Sequence, residues 1–229
     1  MNKKIKVAHI VTNFALGGAQ DYLINTIKNL DRDKFELFIF GKMQGERTEV
    51  LLKLKNVQCA DVPSLSREIS PIKDLIAIFQ VCRLLKRYKI KLVHTHSSKA
   101  GVIGRIAAKL ARVDVIVHTI HGFPFHDFMT KLRRTSFIIL ERLMARFTDA
   151  LLLVSEREKS IALNLNIKPK RIIQTIYNSV DFFPFTQSVD RDITRKKLGI
   201  IPSEILIGFS GRKKKKKALH ILLEAFSIV

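Results

Sequence analysis

Three short stretches of this 229-residue sequence combine reactive or ligand-binding residue types with a position just after an apolar run. The run Ile5 to Thr12 leads through a turn to Gly17-Gly18, ahead of a helix starting near Ala19. The run Lys91-Leu-Val-His-Thr-His96 leads into Ser97-Ser98-Lys99, and Val113 to Ile120 leads into His121-Gly122. A glycine pair between a buried strand and a helix leaves backbone N–H groups and the positive end of the helix dipole aimed at one spot. That arrangement suits a phosphate or another anion, and a side chain there would hold the ligand off the backbone. The pair is not the spaced G-x-G-x-x-G fingerprint, so ordinary strand-to-helix turn chemistry is the competing explanation. For His94, His96 and His121 the competing explanation is a hydrogen-bonded histidine at a strand end. Because His94 and His96 alternate with Thr95, one of the two could simply face the core. No carboxylate stands at a spacing that would help these histidines hold a metal, and none is expected.

The elements that must position these residues alternate regularly. Apolar runs at 5–12, 35–40, 57–62, 91–96, 113–120, 150–154 and 171–176 read as strands. Between them lie helical patterns near 19–30, 46–55, 72–88, 100–112, 130–147 and 156–165, with Ser155 as a plausible N-cap for the last. Gly101, Gly104, Ala107 and Ala108 would let the fourth helix pack closely. Several strands are continuously apolar, which predicts an α/β fold: a Rossmann-like parallel sheet with helices on both faces. In such sheets ligands bind beyond the carboxyl ends of the strands, where all three chemical stretches fall. The expected organisation is a Rossmann-like domain over 1–181, a polar linker over 182–203, and a strand–helix unit over 204–229. That unit would have Glu204 to Phe209 as its strand and Ser210-Gly211-Arg212 as its turn. One strand and one helix cannot bury a core, so it reads as the start of an incomplete second domain.

Composition narrows the partners. With 47% hydrophobic residues the chain can bury a substantial core, and 41 Lys+Arg against 20 Asp+Glu give a formal net charge of +21. Such a charge calls for an anionic partner: nucleic acid, a membrane surface or phosphorylated ligands. Cys59 and Cys82 have no metal-ligand spacing and make no disulfide framework, which fits a reducing cytoplasm. No apolar stretch reaches the roughly 18–20 residues needed to span a bilayer, so any membrane contact would be peripheral.

Taken with Tyr177-Asn-Ser-Val-Asp181 and Ser210-Gly-Arg212, the stretches Val93-His-Thr-His-Ser-Ser-Lys-Ala-Gly101 and Val117-His-Thr-Ile-His-Gly122 carry a resemblance. The sequence resembles the retaining glycosyltransferases of family 4, which have the GT-B architecture of two facing Rossmann-like domains. The relatives are bacterial enzymes of capsule, O-antigen and other lipid-linked glycan synthesis. The resemblance implies transfer of a hexose or N-acetylhexosamine from a nucleotide diphosphate sugar to a lipid-linked or glycan acceptor, with no catalytic metal or other cofactor. It implies that Gly17 and Gly18 face the donor diphosphate or the acceptor, that His121 sits beside the transferred sugar, and that His96, Ser97, Ser98 and Lys99 line the acceptor side of the cleft. Arg212 and Lys217 match the positions that clamp the donor diphosphate and offset charge on the leaving phosphate. Here the chain departs from the family: Lys213 to Lys217 is an unbroken lysine run followed by Ala218, and Ser179 stands where a glycine is usual. A solvated basic helix start, or a slippage-prone coding tract, explains the run as well. The family's Glu-x7-Glu donor segment would lie beyond Val229. The expectation is therefore an acceptor-side domain, inactive as a transferase by itself. The alternatives are a non-catalytic remnant, an interaction half that pairs with a separate C-terminal domain, or a basic nucleic-acid-binding Rossmann-like domain.

The basic residues have a natural use in this setting. On a helix over 130–147, Lys131, Arg134, Arg142 and Arg146 fall within an arc of roughly 120°. Leu132, Ser136, Ile139, Leu140, Leu143 and Phe147 fall opposite, where most of them would pack on the sheet. Phe123, Phe125 and Phe128 would stand at the rim beside the basic face. Basic residues among exposed aromatics suit an anionic membrane, placing the protein at the inner face of the cell membrane. The competing reading is a merely solvated face. No nucleic-acid-binding module is recognisable, and the basic residues are spread over several helices, so nucleic acid is not expected as a partner.

Overall fold

A computed structural model describes residues 3–126, 129–180, 182–183, 186, 188–211 and 218–228. It divides into two compact units, Met1–Val180 and Asp181–Val229. In the first, seven strands alternate with six helices: β1 (Ile5–Asn13), α1 (Gly18–Asn29), β2 (Phe35–Lys42), α2 (Thr48–Leu52), β3 (Val57–Asp61), α3 (Pro71–Tyr88), β4 (Leu92–His96), α4 (Ser98–Ala111), β5 (Val115–Ile120), α5 (Lys131–Ala145), β6 (Ala150–Leu153), α6 (Glu156–Asn164) and β7 (Ile172–Thr175). All pairings are parallel, in the order β3-β2-β1-β4-β5-β6-β7. The chain builds leftward from β1 to β3, then crosses back to lay β4 against the other edge of β1. That reversal makes the β1–β4 pair the switch point of the sheet, where a crevice opens at the carboxyl ends.

Alternate side chains of each strand supply two cores. Val7, Val11, Leu37 and Ile39 pack against Leu23 and Ile27 of α1 and Leu51 of α2. On the opposite face Ala8, Ile10, Phe38 and Phe40 meet Ala77, Val81 and Leu85 of α3 and Ala100, Ile103 and Ala107 of α4. That face continues through Ile120, Leu151 and Leu153 to α5 and α6. α4 lies close to the sheet because it carries glycine where it crosses: a Cβ on Gly101 would sit 2.5 Å from the His118 ring, and one on Gly104 2.6 Å from Thr95 Cγ2. Ser155 does cap α6, its hydroxyl accepting from the Glu158 N–H.

α5 is turned differently from the sequence expectation. Leu132, Ser136, Ile139 and Leu143 are exposed, and the buried side is Ile138, Glu141, Met144 and Ala145. The reason is an ion pair. Arg105 of α4 is wholly buried, donates to the Gly101 carbonyl and meets Glu141 at 3.0 Å. A buried guanidinium without a carboxylate would be strongly unfavourable, so Glu141 points inward and carries the helix face with it. The aromatics are also placed differently. Phe123 and Phe125 are buried and stack at 4.7 Å, leaving no aromatic rim among the described residues there; Phe128 lies outside them.

The second unit has no buried residue among those described. It contains α7 (Arg191–Lys197), capped by the Asp190 carboxylate, and α8 (Leu219–Phe226). The strand expected over 204–209 does not form among the described residues, where Ile205, Leu206 and Ile207 are exposed. A strand has no internal hydrogen bonds, so an apolar sequence alone cannot hold one.

Candidate functional site

The β1–β4 switch point brings together residues far apart in sequence. His9 of β1 pairs in register with His94 of β4, and His96 pairs with Thr119 of β5. His9, His94 and His96 all point to the α1 side of the sheet, while Thr95 between them points the other way and bonds His118 at 2.8 Å. His96 is fully buried. It therefore does not line the cleft as the sequence reading placed it; it stands behind His121. Its Nε2 lies 3.2 Å from Nδ1 of His9, and its Nδ1 lies 3.3 Å from Nε2 of His121. Tyr22 of α1 sets its ring edgewise to His121, with centroids 5.1 Å apart. His94 bonds the Thr119 hydroxyl at 2.7 Å.

The crevice itself is a small cavity at the strand ends. Ala19 of α1, Ser97 and Ser98, and the segment His118 to Gly122 line it, with Pro124 and Glu141. Gly122 has φ +123°, a conformation that favours glycine and lets the chain turn sharply after His121. Ser97 has φ 67° and ψ 154°, a region populated almost solely by glycine. A 2.8 Å hydrogen bond between its hydroxyl and that of Thr12 ties this strained residue across the β1–β4 seam. Strain of this kind collects at binding sites, where the surrounding structure holds a geometry the chain would not choose.

Gly17 and Gly18 stand at the mouth of α1. Gly17 has φ 167°, extended backbone open to any residue, but a Cβ on it would sit 3.0 Å from Gln20 Oε1, while nothing lies within 4 Å of where a Gly18 side chain would begin. Folding therefore does not require glycine at position 18, and its bareness leaves the first turn of α1 uncovered, as an anion site needs. Lys99 turns away from the crevice. Its ammonium pairs with Asp74 of α3 at 2.6 Å and also reaches the Glu68 carbonyl. Of the basic arc on α5, Lys131, Arg142 and Arg146 are exposed; Arg134 is half-buried with its guanidinium 5.9 Å from the Phe125 ring. Arg212 and Lys217 lie outside the described residues. The sequence reading missed the site roles of His9, Thr12, Tyr22 and Thr119. A histidine within the apolar run of β1 was the available signal for the first, but register alone shows that it faces His94.

His9, His94 and His96 each offer a ring nitrogen within 4.8 Å of the others, the one such group among the described residues. Their hydrogen bonds compete with a metal for the same lone pairs, since both nitrogens of His96 are engaged by His9 and His121. Burial also decides their charge. It lowers His9 to about 4 and His121 to about 4, and pushes His94, His96 and His118 well below the ordinary 6.5. All five rings are neutral at pH 7. Linkage fixes the sign: the unfolded chain takes up protons at these rings below pH 6.5, and the folded chain does not until about pH 4. Stability should hold flat from pH 8 to 7 and fall from 6.5 toward 4, with His9 and His121 each contributing on the order of 3 kcal/mol to the loss. Urea titrations across that range check this; unchanged stability from pH 7 to 4 would contradict the buried neutral array.

Comparison with known proteins shows the family. Residues 16–182 match the Glycosyltransferase Family 4 model. Over 213 residues the chain is 34% identical to the UDP-Gal:alpha-D-GlcNAc-diphosphoundecaprenol alpha-1,3-galactosyltransferase of Escherichia coli, covering 92% of this chain and 54% of that protein. It is 28% identical to an O-antigen biosynthesis glycosyltransferase of E. coli (78% of this chain, 50% of that one) and 23% identical to a capsular polysaccharide biosynthesis glycosyltransferase of Staphylococcus aureus (78% and 47%). The chain thus spans about half the length of the curated relatives it matches. Among solved structures, sucrose-phosphate synthase of Thermosynechococcus elongatus shares the fold with a TM-score of 0.71 at 15% identity, over 99% of this chain and 60% of that one. A Rickettsia africae glycosyltransferase does so with a TM-score of 0.61 at 18% identity, over 87% and 51%. The switch-point crevice, the parallel sheet around it and the matched sequence agree: the chain belongs to glycosyltransferase family 4, with the Rossmann-like fold of GT-B enzymes.

Proposed function

We propose that residues 1–180 form the acceptor-side half of a retaining glycosyltransferase of bacterial surface polysaccharide synthesis. The carrying observation is the strained, glycine-turned crevice at the β1–β4–β5 strand ends, with His121 on its wall and the bare first turn of α1 opposite. In this reading Gly17 and Gly18 face a diphosphate, and Ser97 and Ser98 face acceptor hydroxyls. His121 acts as a neutral ring that hydrogen-bonds and orients the transferred sugar; held near pKa 4, it supplies no positive charge at pH 7. Arg212 and Lys217 would grip the donor diphosphate. The reading requires no catalytic metal. By analogy with the E. coli relative, the donor is a uridine diphosphate hexose and the acceptor an N-acetylglucosaminyl diphosphate on a polyprenol. The reading assigns residues 1–180 acceptor binding without turnover by themselves. Titrated with a short-chain N-acetylglucosaminyl diphosphoprenol, the 229-residue protein should bind it, and with UDP-galactose added should form no galactosylated product. Product formation would overturn the half-site assignment, and absence of acceptor binding would overturn the acceptor side.

Two exposed apolar faces support a site for the lipid part of such an acceptor. α3 exposes Ile72, Leu75, Ile76 and Phe79 among Lys73, Arg83 and Lys86, and α5 exposes Leu132, Ile139 and Leu143 beside Lys131, Arg142 and Arg146. Between them runs a cavity of about 370 Å³ whose apolar wall includes Ile78, Val102, Phe137 and Leu140. Ser98, Pro124 and Glu141 line both this cavity and the crevice. Apolar stripes edged with lysine and arginine fit an anionic membrane, and no helix among the described residues is long and apolar enough to cross one. The protein should float with phosphatidylglycerol vesicles and not with phosphatidylcholine. Lys73→Gln with Lys86→Gln should weaken that binding roughly 30-fold, at about 1 kcal/mol per lysine. Salt-steep binding to DNA or RNA without vesicle binding would sink this reading.

A further inference from the structure

The array His9, His96 and His121 has a property that none of its members has alone. Nδ1 of His9 faces Nε2 of His96, and Nδ1 of His96 faces Nε2 of His121. The two outer nitrogens, Nε2 of His9 and Nδ1 of His121, are buried and have no partner among the described residues. Each ring is neutral and so carries one proton. At each N···N contact one nitrogen must donate and the other accept, because two N–H groups would clash and two lone pairs would repel. Only two arrangements satisfy both contacts. Either all three rings are protonated on Nδ1, or all three are protonated on Nε2.

We propose that His9, His96 and His121 form a tautomer-coupled relay through the buried seam of the sheet, with His96 the positioning residue that makes the two ends switch together. In the all-Nδ1 state His121 offers an N–H at its outer nitrogen and His9 offers a lone pair. In the all-Nε2 state the ends exchange roles. Switching moves one proton along each hydrogen bond, from donor nitrogen to acceptor, with each ring losing one proton and gaining another. In the all-Nδ1 to all-Nε2 direction a proton leaves Nδ1 of His121 and one arrives at Nε2 of His9, both exchanged with water or ligand at the ends, so total charge is conserved.

The two end rings lie beside different spaces, though their outer nitrogens are closed to solvent. His121 lines the crevice, while His9 lines a larger cavity of about 570 Å³ over the opposite part of the sheet face, with Tyr22, His94, Val117, Leu152 and Tyr177. A hydrogen-bonding group that engages one end therefore selects the state presented at the other. His118 is a built-in contrast. Its Nδ1 lies 2.8 Å from the Thr95 hydroxyl and 3.1 Å from the Thr95 carbonyl, so its partners are oxygens and its tautomer is not coupled to another ring.

The relay rests on ring geometry and stands or falls apart from the transferase reading. Its test is the imidazole ¹⁵N spectrum of the ligand-free protein at pH 7, which distinguishes protonated from bare nitrogens, with assignment by single substitution. The expected result is one shared tautomer for His9, His96 and His121; a mixed set, or any charged ring among them, overturns the proposal. Two end variants complete it. In His9→Phe the remaining rings His96 and His121 should still share one tautomer, and in His121→Phe so should His9 and His96, because one N···N contact joins each pair. A mixed pair in either variant overturns the coupling. If either phenylalanine variant does not fold, the corresponding leucine takes its place, with the same two outcomes.

Discussion

The pairing of β1 with β4 is the constraint on which the rest depends. It joins two strands separated by some eighty residues and makes the sheet change direction there. Register within that pair sets His9 beside His94, puts Thr12 against Ser97, and brings the carboxyl ends of β1, β4 and β5 to one crevice. A slip of one residue would turn every histidine to the other face and fill their places with Ile10 and Thr95. Hydrophobic packing on both faces holds the register. Val7 and Val11 are committed to the α1 core, and Ala8 and Ile10 to the α3–α4 core.

Polar groups inside the sheet then limit what the helices can do. Buried neutral histidines need partners, and they find them chiefly in one another and in Thr95 and Thr119. Arg105 needs a carboxylate, and Glu141 supplies it by rolling α5. The exposed apolar stripe of α5 follows from that roll: once Glu141 faces inward, Leu132, Ile139 and Leu143 are carried to the surface. A requirement of one buried charge thus shapes the apolar face that α5 exposes.

Much of this was legible beforehand, for identifiable reasons. Each strand and helix of residues 1–180 announced itself through apolar runs bounded by turn residues, and the three rim turns were visible as polar chemistry at strand ends. The face that α5 buries was not legible, because periodicity weighs apolar residues and takes no account of a buried arginine on another helix, thirty-six residues from its partner. Nor was the burial of Phe123 and Phe125, whose neighbours come from β6, α5 and α6. The apolar sequence of 204–209 reads as a strand in any window, yet a strand exists only through its neighbours. Likewise the site roles of His9 and Tyr22 are products of register and helix placement, which no local pattern encodes.

The central claim is that the crevice at the β1–β4–β5 strand ends is where the acceptor's sugar and diphosphate sit. The most direct measurement is photo-crosslinking with a short polyprenyl diphosphate N-acetylglucosamine carrying a diazirine on the sugar, mapped by mass spectrometry. The account predicts adducts confined to the rim peptides around Thr12–Ala19, His96–Lys99 and His121–Pro124, lost on competition with unlabelled acceptor. Competable adducts that fall elsewhere, with none on those three segments, would contradict it.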